Sequence, residues 1–284
     1  MTIPDSGNPA DNIDWNQVWK DQKIRHLGVQ NYQGSDEFWS DPRNIQRVYQ
    51  RFPSRSLRVK KQMEGIEIPE GGKVLDIGAG PGTLAIPMAK MGCQVTAVEP
   101  SAAMREVMMR CQERMKVRGI QVLAMQWEDV NPGDLEEYDL VIASFSLSMV
   151  DIGAAIDKIN RVSGGSVYLY WFLTPPVWAD VLSVLWPRIH GVPFYFEPTA
   201  DVLYQVLLQK NIYADFHPER NIHSHLYQNL GDAVDDYAAR INCADERQRK
   251  IIRDYLRRKM AYVETGFSIR GESWNAKICW KNSG

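Results

Sequence analysis

The chain has 284 residues, enough for one large domain or two small ones, and 44% hydrophobic and 24% charged residues are ordinary for a globular protein. Its formal net charge of -2 lacks the basic excess of most nucleic-acid-binding proteins, so we expect no nucleic-acid partner. No apolar run approaches the roughly 20 residues of a membrane span and the chain start lacks the features of a signal peptide, which predicts a cytoplasmic protein without membrane contact.

The N-terminal part, residues 1–63, is expected to form a polar tail and a helical cap. The segment 15–52 is rich in aromatic residues, and its apolar spacing predicts two or three short helices. A further helix is expected over about 54–63. We expect Trp15 and Trp19 to pack these helices on the rest of the protein.

From Lys73 onward, short apolar strands alternate with helices. The expected strands span 74–77, 94–99, 121–125, 138–145 and 166–172, and the expected helices span 84–90, 102–117 and 154–162. This alternation predicts βαβ units around a parallel sheet. The strands are apolar throughout, as in a sheet that is covered on both faces.

The alternation ends after Phe172. Helices are expected over 178–189, 199–210, 231–239 and 244–262, and strands over 212–216, 266–269 and 276–281. We therefore predict one α/β domain over 64–284, a Rossmann-like doubly wound sheet that is mostly parallel with an antiparallel C-terminal strand. Its helical insertion, a candidate lid, spans about 174–262. The C-terminal strands could pair with another chain, which leaves a monomer and a homodimer both open.

A glycine-rich turn, Asp76-Ile-Gly-Ala-Gly-Pro-Gly, joins the first expected strand to a helix. The carboxyl edge of a parallel sheet is where ligands bind. Glycines allow positive φ and a close approach of backbone to a ligand, and N–H groups at a helix start can hold a carboxylate. Asp76 would face an ammonium group, directly or through water. Glu99, about twenty residues beyond the turn, can accept both ribose hydroxyls of a nucleoside.

An acidic residue before three alternating glycines resembles the first motif of the class I S-adenosylmethionine (SAM)-dependent methyltransferase superfamily. The resemblance covers roughly residues 73–172, about a third of the chain. It implies SAM as the cofactor, S-adenosylhomocysteine as its product, and methyl transfer to a small molecule. The residues that it assigns to the cofactor are Asp76, Gly78, Ala79, Gly80, Gly82, Glu99, Pro100, Met104, Gln126, Trp127, Glu128, Ser144 and Phe145.

Within that resemblance, Glu99 is the ribose acid, the segment 126–129 wraps the adenine and Met104 packs beside it, while Ser144 and Phe145 line the methyl-donor site. Many members of the superfamily have an Asp at the position of Gln126. The adenine amino group would therefore bind Gln126 or Glu128.

A dinucleotide enzyme is the rival interpretation of the glycines. Its fingerprint, Gly-x-Gly-x-x-Gly, fails when counted from Gly78, because Thr83 stands in the sixth position. Counted from Gly80, the sixth position is Ala85, an accepted variant, but Asp76 then has no role. The pattern favours a methyltransferase, and a SAM-binding regulatory or scaffold protein without transferase activity stays open as the alternative.

The sequence indicates the methyl acceptor less clearly than the cofactor. Pro175-Pro176 follow the fifth strand rather than the fourth, which argues against the enzymes that methylate DNA adenine or glutamine and favours a small acceptor. Tyr32, Trp39 and Trp171 are candidates for lining its pocket, although Tyr32 and Trp39 could equally pack helices on the sheet. The aromatic-rich segment 178–195 could form another wall.

No metal site or catalytic residue is predicted. The cysteines form no Cys-x-x-Cys pair, and they are Cys93, Cys111, Cys243 and Cys279. His223 and His225 would share one face of a strand, but no third ligand lies nearby in the sequence, so a packing role is favoured. No spacing singles out a His as a general base.

Overall fold

One mixed sheet forms the centre of the protein in the computed structural model, which describes residues 13–28, 45–46, 49, 56–264 and 266–282. Its strands are β1 (Lys73–Ile77), β2 (Gln94–Val98), β3 (Gln121–Leu123), β4 (Tyr138–Ser144), β5 (Ser163–Phe172), β6 (Asp215–Tyr227), β7 (Ala261–Val263) and β8 (Gly266–Lys281). Their order is β3-β2-β1-β4-β5-β8-β6, and β7 pairs with β8. Strands β1 to β5 are parallel, whereas β8 is antiparallel to both β5 and β6. The expected doubly wound sheet with an antiparallel C-terminal strand is confirmed.

The helices of the described residues cover both faces of this sheet. They are α1 (Trp15–Leu27), α2 (Ser56–Glu64), α3 (Ala85–Lys90), α4 (Ala102–Met115), α5 (Ile152–Val162), α6 (Val177–His190), α7 (Ala200–Gln209), α8 (Leu230–Ile241) and α9 (Glu246–Lys259). The core on one face contains α1, α5 and α7, and the core on the other contains α3 and α4. None of the described helices has both the length and the apolar character needed to cross a membrane.

The last two long strands differ from the sequence prediction. Strand β8 is one continuous strand of 16 residues, not two short ones, and β6 extends to Tyr227 rather than ending at Phe216. Strands β6 and β8 continue beyond Phe172, the last residue of β5, as a ribbon that β7 joins at its far end. Polar residues are tolerated there because the ribbon is not buried between two layers, so the apolar pattern that marks a buried strand is missing.

Three helices of the predicted insertion pack on this ribbon. Helices α6, α8 and α9 share a separate apolar cluster with Tyr227 and Ile269 of the ribbon, and Trp186 and Tyr237 are its largest fully buried side chains. The region after β5 therefore has a core of its own at one end of the sheet.

Helix α1 is tied to the sheet domain by buried polar contacts. Trp19 is fully buried and donates its indole N–H to the carbonyl of Met149 at 2.9 Å, which confirms its expected packing role. Lys23, also buried, forms an ion pair with Glu197 at 2.6 Å. His26 contacts the carbonyl of Tyr195, and burial lowers its pKa. The contacts of Lys23 and His26 join α1 to the segment between α6 and α7, and that of Trp19 joins it to the segment between β4 and α5.

Candidate functional site

The glycine turn lies at the carboxyl edge of β1, between β1 and α3. Gly78, Gly80 and Gly82 have φ angles of 67°, 55° and 78°, in the left-handed region. A Cβ on Gly78 would lie 2.3 Å from the Cβ of Ser146, and one on Gly82 would lie 2.8 Å from Cδ1 of Ile86. A Cβ on Gly80 would have no atom of the described residues within 4 Å. Two glycines are therefore required by protein packing, whereas no atom of the described residues fills the space beside Gly80.

The carboxylate of Glu99 lies directly beside this open position. Glu99 follows β2 and is only 6% exposed. Its Oε2 accepts a hydrogen bond from the N–H of Gly80 at 2.7 Å, and its Oε1 accepts one from the N–H of Ser101 at 2.8 Å. These bonds fix the orientation of the carboxylate. A carboxylate can accept about four hydrogen bonds.

Asp76 lies beneath the turn, in β1, and is almost completely buried. Its carboxyl group accepts a hydrogen bond from the backbone N–H of Ala85, the first residue of α3. Burial, with a smaller repulsion from Glu99, raises the pKa of Asp76 to about 7 despite that hydrogen bond. The contact seen in the structure is thus with the backbone at the start of α3.

The segment after β3 places its side chains in two directions. Gln126 and Glu128 are exposed at the carboxyl edge, in and beside a single 3-10 turn. Trp127 is buried in the core and donates its indole N–H to the carbonyl of Ala155 at 3.3 Å. Gln126 and Glu128 are available to a ligand at this edge, whereas the indole of Trp127 is held inside the protein.

The start of α4 lies next to Glu99. Met104 is buried in the core between α4 and the sheet, and Pro100 is half-buried. The hydroxyl of Ser101 caps α4 by accepting a hydrogen bond from the N–H of Met104. Met104 therefore has little surface to offer a ligand.

The end of β4 has an unusual backbone. Phe145 has a φ of 56°, a conformation that is rare for a bulky residue and is found preferentially at functional sites. Its N–H donates to the carbonyl of Tyr170 at 2.9 Å, which holds it against β5. The neighbouring Ser144 accepts a hydrogen bond from the side chain of Gln62 in α2.

Four aromatic rings, which we call the aromatic wall, extend from Phe145 into the insertion. The ring of Phe145 lies 4.9 Å from that of Phe172, which lies 5.6 Å from that of Phe196. Trp178 lies 5.9 Å from Phe196. The separations are typical of interacting aromatic pairs. The wall therefore starts at the same edge of the sheet as the glycine turn.

Trp171, expected to line a substrate pocket, lies instead in the core. It is 2% exposed, and its indole N–H donates to the carbonyl of Pro198 at 2.7 Å. Side chains alternate along a strand, so Phe172 contacts the ring of Phe145 while Trp171 packs near Trp19. The sequence did place Phe172 at the carboxyl end of β5, and that position was the signal that its ring belongs to this edge of the sheet. Tyr32 and Trp39 lie outside the described residues.

The part of the chain that forms this edge is similar to known proteins. Residues 74–164 match a family model described as a methyltransferase domain. A demethylmenaquinone methyltransferase of Clavibacter sepedonicus is 32% identical over 112 residues, which are 38% of this chain and 44% of that protein. An uncharacterised protein of Haemophilus influenzae is 29% identical over 107 residues, 38% of this chain and 40% of that protein. The chain thus matches less than half the length of these curated relatives.

The solved structure of the YcgJ protein of Bacillus subtilis shares the fold, with a TM-score of 0.54 at 16% identity over 80% of this chain and 98% of that chain. The matched family segment includes the glycine turn, Glu99 and Phe145. Residues 74–164 are therefore similar to a methyltransferase domain, within a fold that this chain shares with the Bacillus subtilis protein.

Proposed function

We propose that this protein binds SAM across the carboxyl ends of β1, β2 and β4 and transfers its methyl group to a small molecule. The observation that carries the proposal is the space over Gly80, which holds no atom of the described part of the chain, beside the oriented carboxylate of Glu99. A ligand can approach the backbone there because no side chain is present, and a buried acid is in place to accept hydroxyl groups.

The residues around this position fit the parts of SAM. Glu99 would accept hydrogen bonds from the ribose, and Gln126 or Glu128 would bind the adenine amino group. The turn at Gly80 would bind the methionine portion of SAM, and Asp76 would keep this turn in shape through its bond to Ala85. SAM itself supplies an electrophilic methyl group on a positively charged sulfur.

The aromatic wall is the proposed acceptor side. Its rings give an apolar surface that begins at Phe145, next to the proposed methyl-donor position, and continues through Phe172 to Phe196. Such a surface orients an apolar molecule and excludes water, and holding the reacting atoms in line is the main requirement of methyl transfer. The insertion, about 174–262, would close this pocket. A general base is required only for an acceptor that must lose a proton.

The donor site can be tested with a pair of matched glycines. Gly80→Ala places a methyl group where SAM would lie and forces Ala into a positive φ. Gly71→Ala is the control, since Gly71 has a φ of 64° and its Cβ would also have no described atom within 4 Å. Both variants carry a backbone strain of roughly 1 kcal/mol from the positive φ. We expect only Gly80→Ala to weaken S-adenosylhomocysteine binding, by more than about tenfold in calorimetry. Equal affinities of the two variants would contradict the site.

Transfer is tested with SAM labelled in its methyl group and an extract of small metabolites. We expect S-adenosylhomocysteine to accumulate and the label to appear in a compound of low mass. Label in precipitated protein or nucleic acid would contradict a small acceptor. SAM that binds at Gly80 but stays intact would instead indicate a SAM-binding regulatory protein.

A further inference from the structure

A cluster of three different metal-binding side chains lies on the face of β6 and β8, away from the glycine turn. Asp215, His217 and Cys279 each offer one ligand atom, and these atoms all lie within 4.8 Å of one another. Asp215 is directly opposite Cys279 in the register of β6 and β8, and His217 is two residues further along β6. Side chains two apart on a strand share a face, so the sheet itself brings the three groups together.

The cluster borders an open cavity of about 750 Å³ whose lining includes Asp215, Tyr168 and Cys279. Tyr168 pairs with Cys279 and lies four residues before the end of β5. At about 3.3 Å per residue, the cavity is roughly 13 Å along the strand from the carboxyl edge. It is therefore separate from the proposed methyl-transfer site.

The two lysines of this cavity are both held by other groups. Lys281 forms an ion pair with Glu67 at 2.8 Å, and Lys277 donates to the carbonyl of Gly65 at 3.4 Å. The positive charges of Lys277 and Lys281 are balanced by Glu67 and Asp215, and Glu64 adds one more negative charge to the lining. A cation at the cluster would thus meet no net positive charge from the cavity.

We propose that Asp215, His217 and Cys279 bind a divalent metal ion of the zinc type. Thiolate and imidazole ligands select such ions over magnesium or calcium, which prefer oxygen alone. Bonds of about 2.0–2.3 Å in a tetrahedron place ligand atoms roughly 3.3–3.8 Å apart, so the side chains must close by only about 1 Å. Asp215 and His217 are exposed and can make that adjustment by rotation.

Binding forms bonds from the metal to one carboxylate oxygen, one ring nitrogen and the sulfur of Cys279, and the thiol proton passes to solvent. Three protein ligands would leave a fourth position for water or a small ligand, and the cavity that Asp215 and Cys279 line gives access to the cluster. Because the ligands come from two strands, the ion would also tie the edge strand β6 to β8.

The test is titration of the untagged, reduced, full-length protein with Zn²⁺ by calorimetry and with Co²⁺ by absorption spectroscopy. We expect one ion per chain, a thiolate-to-cobalt charge-transfer band, and a loss of affinity of more than about tenfold in both Cys279→Ser and His217→Gln. Cys243→Ser is the matched control, since Cys243 is also a partly exposed free thiol, and it should bind like the parent.

Absence of binding, or affinity that is unchanged in Cys279→Ser, overturns the proposal. Binding that is weakened equally in Cys243→Ser shows adventitious binding by surface thiols and also overturns it. Should the variants fail to fold, alkylation of Cys279 in the parent protein, followed by mass spectrometry of its peptide, decides the matter. Zn²⁺ must slow that reaction by more than about tenfold if Cys279 is a ligand, and an unchanged rate contradicts the site.

Discussion

Asp76 makes the stability of this protein depend on pH in a direction that can be calculated. Burial raises the pKa of its carboxyl group from 3.8 to about 7. Below about pH 4, the folded and unfolded states both hold the proton, and the group has no effect on stability. Between about pH 4 and 7, the unfolded chain releases the proton while the folded protein keeps it, so the free energy of unfolding falls as pH rises.

The magnitude follows from the same pKa. It lies about three pH units above the ordinary value, and each unit corresponds to about 1.4 kcal/mol, which gives a total loss of about 4 kcal/mol. Asp76→Asn has nearly the same shape, can still accept the hydrogen bond from Ala85 and has no charge to lose. The variant should therefore gain stability relative to the parent as pH rises.

The assay is urea unfolding of both proteins without SAM at several values from pH 5 to pH 8. The other ionisable groups act equally in the two proteins, so the difference between their free energies of unfolding isolates Asp76. We expect this difference to shift by about 3 kcal/mol in favour of Asp76→Asn over that range, mostly below pH 7. Asp134→Asn, a change at an exposed carboxylate, is the control. A difference that is constant with pH would refute the reasoning.

Two further predictions follow from the contacts of single side chains. Glu99→Gln keeps the shape of the side chain but removes a charged acceptor, and we expect it to weaken S-adenosylhomocysteine binding by about 1.5–3 kcal/mol in calorimetry; unchanged affinity would exclude the ribose role. Lys23→Met should lower the free energy of unfolding by about 1–3 kcal/mol because it leaves the partly buried carboxylate of Glu197 without its lysine. Lys20→Met, on the same helix, breaks a more exposed ion pair with Asp151 and should cost about 1 kcal/mol or less, so equal effects of the two lysines would contradict the importance of burial.

The donor side of the site could be predicted because its signals are local. A turn with positive φ needs glycines, and the acid must stand at the end of the next strand, so both occur at a fixed spacing in the sequence. The structure places Gly80 and Glu99 in direct hydrogen-bond contact. The sequence did not reveal that the carboxyl of Asp76 bonds to Ala85, since spacing does not indicate which way a buried side chain points.

The cluster of Asp215, His217 and Cys279 could not be predicted from the sequence, for a different reason. His217 lies just beyond Phe216, where the expected strand over 212–216 ends. Its proximity to Cys279 arises from the pairing of β6 with β8, across more than sixty residues of chain. Such a register is set by tertiary packing, and the spacing of residues along the chain does not indicate it.

The aromatic wall shows why the sequence predicts the donor side of the site better than the acceptor side. Its rings come from the end of β4, the end of β5 and two places in the insertion, and they meet only through tertiary packing. An aromatic residue in the sequence fits a core as readily as a pocket, as the opposite placements of Trp171 and Phe172 demonstrate. The glycine turn, by contrast, depends on backbone conformations that few residues can adopt. Changes at Phe196 or Trp178 can therefore alter the acceptor surface while the backbone contacts around Gly80 stay the same.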